Sequence, residues 1–132
     1  MINSVFIIHD SGLCLLSRAY DADSEYKVDL LSGFLAAVSS FAKNMIGEEV
    51  QEIRMQNDTI IYESKGIITL AIVKSGRKIT KKKMTSILNR IHSVFIEQYQ
   101  EHLKQEIIEP SIFDSFRVTI DEILSKARVI KM

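Results

Sequence analysis

Two unbroken apolar runs at the start of this chain constrain its fold more than any other feature. Val5-Phe6-Ile7-Ile8 and Leu13-Cys14-Leu15-Leu16 flank the turn cluster Asp10-Ser11-Gly12, and neither run alternates with polar residues. Successive side chains of a strand point to opposite faces, so a strand without polar alternation needs cover on both. Residues 2–9 and 13–20 therefore predict a β-hairpin closed at a glycine that is free to take positive φ. The sheet that contains it must lie between two helical layers.

The remaining pattern supplies those layers. After an acidic loop carrying Asp21, Asp23 and Glu25, the residues Leu30, Leu31, Phe34, Leu35, Val38, Phe41, Ala42 and Met45 recur at helical spacing, with Gly47 as C-cap. Residues 50–56 alternate Ile53 and Met55 with Glu52, Arg54 and Gln56, which predicts an edge strand with one wet face. Asn57-Asp58 turns into a strand over 59–64, and Lys65-Gly66 turns into an almost wholly apolar central strand over 67–73. A long helix follows over 80–105, with Met84, Ile87, Leu88, Ile91, Phe95, Tyr99 and Leu103 on one face. Pro110 stops it, and Ser111 and Asp114 make a capping-box-like start to a last helix that buries Phe113, Phe116, Ile120, Ile123, Leu124 and Ala127. The order β-β-α-β-β-β-α-α predicts an α+β, three-layer α/β/α sandwich. Its five-stranded antiparallel sheet is ordered 2-1-5-4-3, with one helix on one face and two on the other.

The bulk properties narrow the function classes. A chain of 132 residues, 46% apolar and 26% charged, is expected to form one globular domain over 1–132. Seventeen basic and seventeen acidic side chains cancel, so no molecule-wide field draws it to nucleic acid, and any electrostatic partner must be read locally. A single cysteine and no signal-like segment point to the cytoplasm, and the apolar runs fall far short of the ~20 residues that span a bilayer.

No catalytic constellation emerges. The histidines, His9, His92 and His102, have no zinc-ligand spacing with one another or with Cys14, which reads as a packing residue on a buried strand. His9-Asp10-Ser11 contains triad residue types, but neighbours at a strand end are expected to diverge rather than form serial hydrogen bonds. Gly76 lies in a basic loop without other phosphate-loop elements, and Glu48-Glu49 reads as solvated charge after a helix. Neither a metal nor a cofactor is expected.

With this element order, three stretches resemble longin-like domains, the group that includes longins of vesicle-fusion proteins, small adaptor subunits and tethering-complex subunits. They are the opening Val5 to Gly12, the first helix from Leu30 to Val38, and the ending Phe113-Asp114-Ser115-Phe116 before Ile120 and Ile123. The likeness covers the whole chain and extends to stand-alone longin and roadblock-type proteins of archaea, which work with Ras-like GTPases. A roadblock domain begins with a helix whereas this chain begins with a strand, so longin is the better match. The resemblance implies a longin/profilin-like fold and a non-enzymatic dimerising or docking platform. Its implied partners are the chain itself, another longin/roadblock-type protein, or a Ras-like GTPase.

Two surface features stand out. Leu30 to Ala42 contains no charge, although a surface helix normally carries charge on its outer face. With the apolar stripe centred near Val38 and Phe34, the small residues Ser32, Gly33, Ala36, Ser39 and Ser40 would lie opposite and permit close approach of a partner. Second, Lys74, Arg77, Lys78, Lys81, Lys82 and Lys83 crowd one connection with no intervening acid. Three lysines there would oppose the dipole of the following helix at ~0.3–1 kcal/mol each, so an anionic membrane or acidic partner would relieve them. The function expected is a protein-interaction module in a small-GTPase or membrane-trafficking system, cytoplasmic or peripheral to a membrane. The alternative is a small-molecule-sensing domain of profilin/PAS-like architecture, whose pocket would require convergent polar groups, of which the expected core offers few.

Overall fold

Strand β1 (Ile2–His9) buries Val5, Phe6, Ile7 and Ile8 alike, as a strand covered on both faces must. A computed structural model of the chain describes residues 1–20, 28–76 and 78–130. The acidic loop with Asp21, Asp23 and Glu25 lies outside the described residues, as does Arg77. Strand β1 pairs antiparallel with β2 (Cys14–Ala19) on one side and with β5 (Ile68–Ser75) on the other. Strands β4 (Asp58–Lys65) and β3 (Glu52–Arg54) complete the sheet in the order β2-β1-β5-β4-β3, also antiparallel. This is the arrangement expected.

The two faces have separate cores. Val5 and Ile7 point with Leu70 and Ile72 into the larger one, covered by α2 (Lys81–Leu103) and α3 (Phe116–Lys126). There Phe95, Tyr99, Phe113 and Phe116 pack ring against ring, with Tyr99 edge-on to Phe113 at 4.9 Å between centroids. Such pairs add ~0.5–1.5 kcal/mol beyond area burial and lock α2 to the segment before α3. Phe6 and Ile8 point the other way, with Ile60, Tyr62 and Ala71, into a smaller core covered by α1 (Val28–Phe41) through Leu35.

Local details depart from expectation in three places. The edge strand β3 shortens to three residues, although Gln51 and Met55 still bond to β4. Strand β5 runs on to Ser75, which takes Lys74 into the ladder opposite Ile2 and Thr59. The capping box does not form: Pro110–Phe113 is a short 3-10 turn, and the Asp114 carboxylate instead meets Arg117 at 2.9 Å. Helix α1 continues as one π turn over Ala42–Ile46, and Gly47 closes it at φ 81°, the left-handed cap that glycine adopts without strain.

Candidate docking surface

Helix α1 sits a quarter turn from the expected orientation. Leu35 is fully buried and Leu31, Val38 and Ala42 are half-buried, while Leu30 is 80% exposed, Phe34 52% and Phe41 60%. At 100° per residue, Leu30, Phe34 and Phe41 fall within about 40° of one another. Met45 and Ile46 of the π turn are exposed beyond them. The outer face of α1 is therefore a stripe of large apolar side chains on a helix without charge from Leu30 to Ala42.

The small-residue stripe expected on the outside is displaced accordingly. Ser32 is only 3% exposed, Ala36 and Ser39 are half-buried, and Gly33 and Ser40 alone lie in the open. The inner position has a packing use. Gly12, at φ +93° in the β1–β2 turn, faces Ala36, whose Cβ would be in ordinary van der Waals contact, 3.8 Å, with a Cβ built there. Small residues let the helix settle on the hairpin turn.

The sheet edges differ. On edge strand β2, Arg117 of α3 donates to the Ser17 carbonyl at 2.9 Å, and Arg18 meets Asp121 side-on. The Tyr20 hydroxyl also donates to Asp121, with the Arg18 guanidinium over the Tyr20 ring. Edge strand β3 has no such cover among the described residues. Tyr62 N–H donates to the Gln51 carbonyl at 3.0 Å and Met55 N–H to the Asp58 carbonyl at 2.8 Å. By the two-residue period, Ile53 also bonds toward β4, and the backbone groups of Glu52 and Arg54 point off the edge.

The basic segment is smaller on the surface than in the sequence. Lys74 is 9% exposed and its Nζ donates to the Ile79 carbonyl at 3.0 Å, closing the β5–α2 connection internally. Lys78, Lys81, Lys82 and Lys83 are exposed. The Thr80 hydroxyl accepts the Lys83 N–H at 3.1 Å and satisfies one free donor of the helix start. Lys81 shares a surface depression with Glu48, Glu49 and Glu52, acids brought round the β3 edge.

His9 and Ser11 do converge, contrary to the divergence expected. Because Gly12 folds the turn back, the Ser11 hydroxyl lies 2.8 Å and its N–H 3.1 Å from His9 Nδ1, with Asp10 at 3.2 Å from the same atom. A relay needs the acid and the nucleophile on opposite ring nitrogens. Both on Nδ1 make a turn lock. Cys14 is half-buried and its thiol donates to the Leu16 carbonyl at 3.5 Å. No group of three or more His, Cys, Asp or Glu among the described residues is placed to hold a metal, and no described helix is long and apolar enough to cross a membrane.

A groove of about 430 Å³ runs between the C-terminal half of α1 and the ends of β1, β4 and β5. Its floor is apolar, with Ile8, Leu35 and Val50, and its rim carries His9, Lys43 and Glu49. Convergent polar groups are thus present, beside α1 rather than in the core.

No protein-family model and no curated protein sequence matches the chain. Solved structures do. A roadblock/LC7 domain from Streptomyces avermitilis superposes with a TM-score of 0.53 at 15% identity, over 79% of this chain and 87% of that one. MglB of Myxococcus xanthus matches with a TM-score of 0.46 at 19% identity, over 58% of this chain and 66% of MglB. A chain in a homology model of the full-length AP-3 complex matches with a TM-score of 0.45 at 16% identity, over 97% of this chain and 96% of that one. The strand order and pairing, with the superposition on the roadblock/LC7 domain, show a fold of the longin/roadblock type.

Proposed function

We propose that this chain is a non-enzymatic protein-interaction module that docks a second domain of its own type through the outer face of α1 and the adjoining edge strand β3. The observation that carries the proposal is the exposed stripe of Leu30, Phe34 and Phe41 on an uncharged helix. Burying those side chains against a partner removes apolar surface from water at ~25 cal/mol per Å², and nothing charged has to be desolvated to do so. An uncharged face also meets a copy of itself without repulsion, which suits an isologous interface. The longin/roadblock fold supports the same reading, with a place in a small-GTPase or membrane-trafficking system as its biological setting.

Light scattering of the wild-type chain against Phe34→Glu tests it. Phe34 is outside the core, so the variant should fold normally and shift to the monomer. A wild-type chain that stays monomeric at the highest attainable concentration, or a variant that associates equally well, rejects the proposal.

Ligand sensing is the second reading, and the groove beside α1 favours it. A small molecule that raises the melting temperature, with the effect lost on Ala36→Phe, would establish that reading instead.

A further inference from the structure

The docking proposal leaves open how the module tells its own copy from other sheets with an open edge. We infer that β3 selects a second copy of this chain by antiparallel pairing centred on Ile53, with Glu52 and Arg54 as the residues that set the register.

The inference follows from which backbone groups are free. Gln51, Ile53 and Met55 bond inward to β4, so Glu52 and Arg54 are the residues whose N–H and C=O face outward. Two copies related by a two-fold axis pair residue i with a residue at constant sum. Outward groups meet outward groups only when the axis passes through a residue, not between two. A centre on Glu52 places Glu52 opposite itself, and a centre on Arg54 places Arg54 opposite itself; like charges directly opposite are destabilising. A centre on Ile53 places Glu52 opposite Arg54 of the second copy, and Arg54 opposite its Glu52. Two reciprocal ion pairs then form at the hydrogen-bonded positions.

The side-chain directions agree with that centre. Within one chain Glu52 and Arg54 already share a face of the strand, their carboxylate oxygen and guanidinium nitrogen 3.1 Å apart. Ile53 points to the other face, into the core beneath α1. Pairing on Ile53 sets Ile53 against Ile53 of the second copy in a non-hydrogen-bonded position, where Cα atoms approach to ~4.5 Å. That contact lies on the α1 side of the sheet, beside the core that Leu31 and Leu35 of α1 enter. The opposite edge, β2, is unsuited to the same use because Arg117 already occupies the Ser17 carbonyl.

This register rests on the docking proposal, and a charge exchange separates the two. Glu52→Arg alone sets the new arginine against the native Arg54 of the second copy. Arg54→Glu alone sets the new glutamate against the native Glu52. Like charges then face each other at both pairs, and each homodimer should weaken by about tenfold or more. Mixing the two variants brings an edge that carries two arginines against an edge that carries two glutamates, so a heterodimer should form at near wild-type affinity. The double variant E52R/R54E should recover the homodimer. If both single variants dimerise as the wild type does, or if mixing restores nothing, the register is wrong while the α1 proposal stands on Phe34→Glu. If the wild type never dimerises, both fall.

Discussion

Arg18 and Asp121 meet side-on, Nε to Oδ1 at 2.9 Å and Nη2 to Oδ2 at 3.2 Å, and so tie edge strand β2 to helix α3 across more than a hundred residues of chain. Partial burial pulls the Asp121 carboxyl upward, but the hydrogen bonds from Arg18 and Tyr20 outweigh it and hold the group below its ordinary value. A folded-state value below the unfolded one means that the contribution to stability is complete above the ordinary aspartate range, ~3.9, and is lost as pH falls through the depressed value. Tyr20 works in the opposite sense. Burial first, and then the bond to Asp121, raise its phenol, so its share is complete below ~10 and is lost as pH rises further. Asp121→Asn should lower stability by about 1 kcal/mol at neutral pH, a modest figure because the pair is a third exposed. Urea titrations of both proteins should converge at acid pH; a constant difference down to pH ~2, well below the ordinary aspartate value, would contradict this.

Tyr62 supplies a prediction of the opposite sign. It is 4% exposed under α1, its hydroxyl has no hydrogen-bond partner among the described residues, and burial pushes its pKa up to about 12. A buried donor without an acceptor costs ~1–3 kcal/mol. Tyr62→Phe should therefore be neutral to stabilising by up to about 1 kcal/mol, read as a higher melting temperature in calorimetry. A clear loss of stability would show that the hydroxyl has a partner.

These residues show what a sequence pattern conveys and what it withholds. The hairpin, the doubly covered sheet and the strand order were legible because Val5 to Ile8 admit no wet face; of the second run only Leu15 and Leu16 are buried, for β2 is an edge strand and Leu13, in the turn before it, is 42% exposed. The orientation of α1 was not. Leu31, Leu35, Val38 and Ala42 make one helical stripe, and Leu30, Phe34, Phe41 and Met45 make another beside it. Periodicity shows that both exist, whereas which of them faces the sheet is settled by packing against residues distant in the chain, Leu35 against Phe6, Ile8, Ile60 and Tyr62. Lys74 was hidden for a related reason: charge runs are read along the chain, but strand β5 carries this lysine inward to the Ile79 carbonyl. The acids around Lys81 come from a different part of the chain, and no local window contains them.

The exposed lysines at the start of α2 give a third expectation, which tests the sequence-based reading that this segment meets an anionic membrane surface. Lys82 and Lys83 stand in the first turn, where the helix dipole disfavours cations by ~0.3–1 kcal/mol each. Replacing Lys78, Lys82 and Lys83 by Gln should leave the fold intact or slightly firmer. In sedimentation with vesicles containing phosphatidylserine, the wild type should bind at low salt, release as the ~8 Å screening length of physiological salt is reached, and ignore neutral vesicles. Equal binding by the triple variant, or none by the wild type, would leave these lysines as solvated charge.

Amide hydrogen exchange at the β3 edge bears most directly on the claim that α1 and β3 form one docking face. The N–H groups of Glu52 and Arg54 point off the sheet, so in an isolated chain they exchange freely, and in a paired edge they are hydrogen-bonded. In wild-type protein their exchange should slow as protein concentration rises, together with that of no other outward strand group. In Phe34→Glu it should remain fast at every concentration. Exchange at Glu52 and Arg54 that is equally fast in dilute and concentrated wild-type protein would contradict the claim.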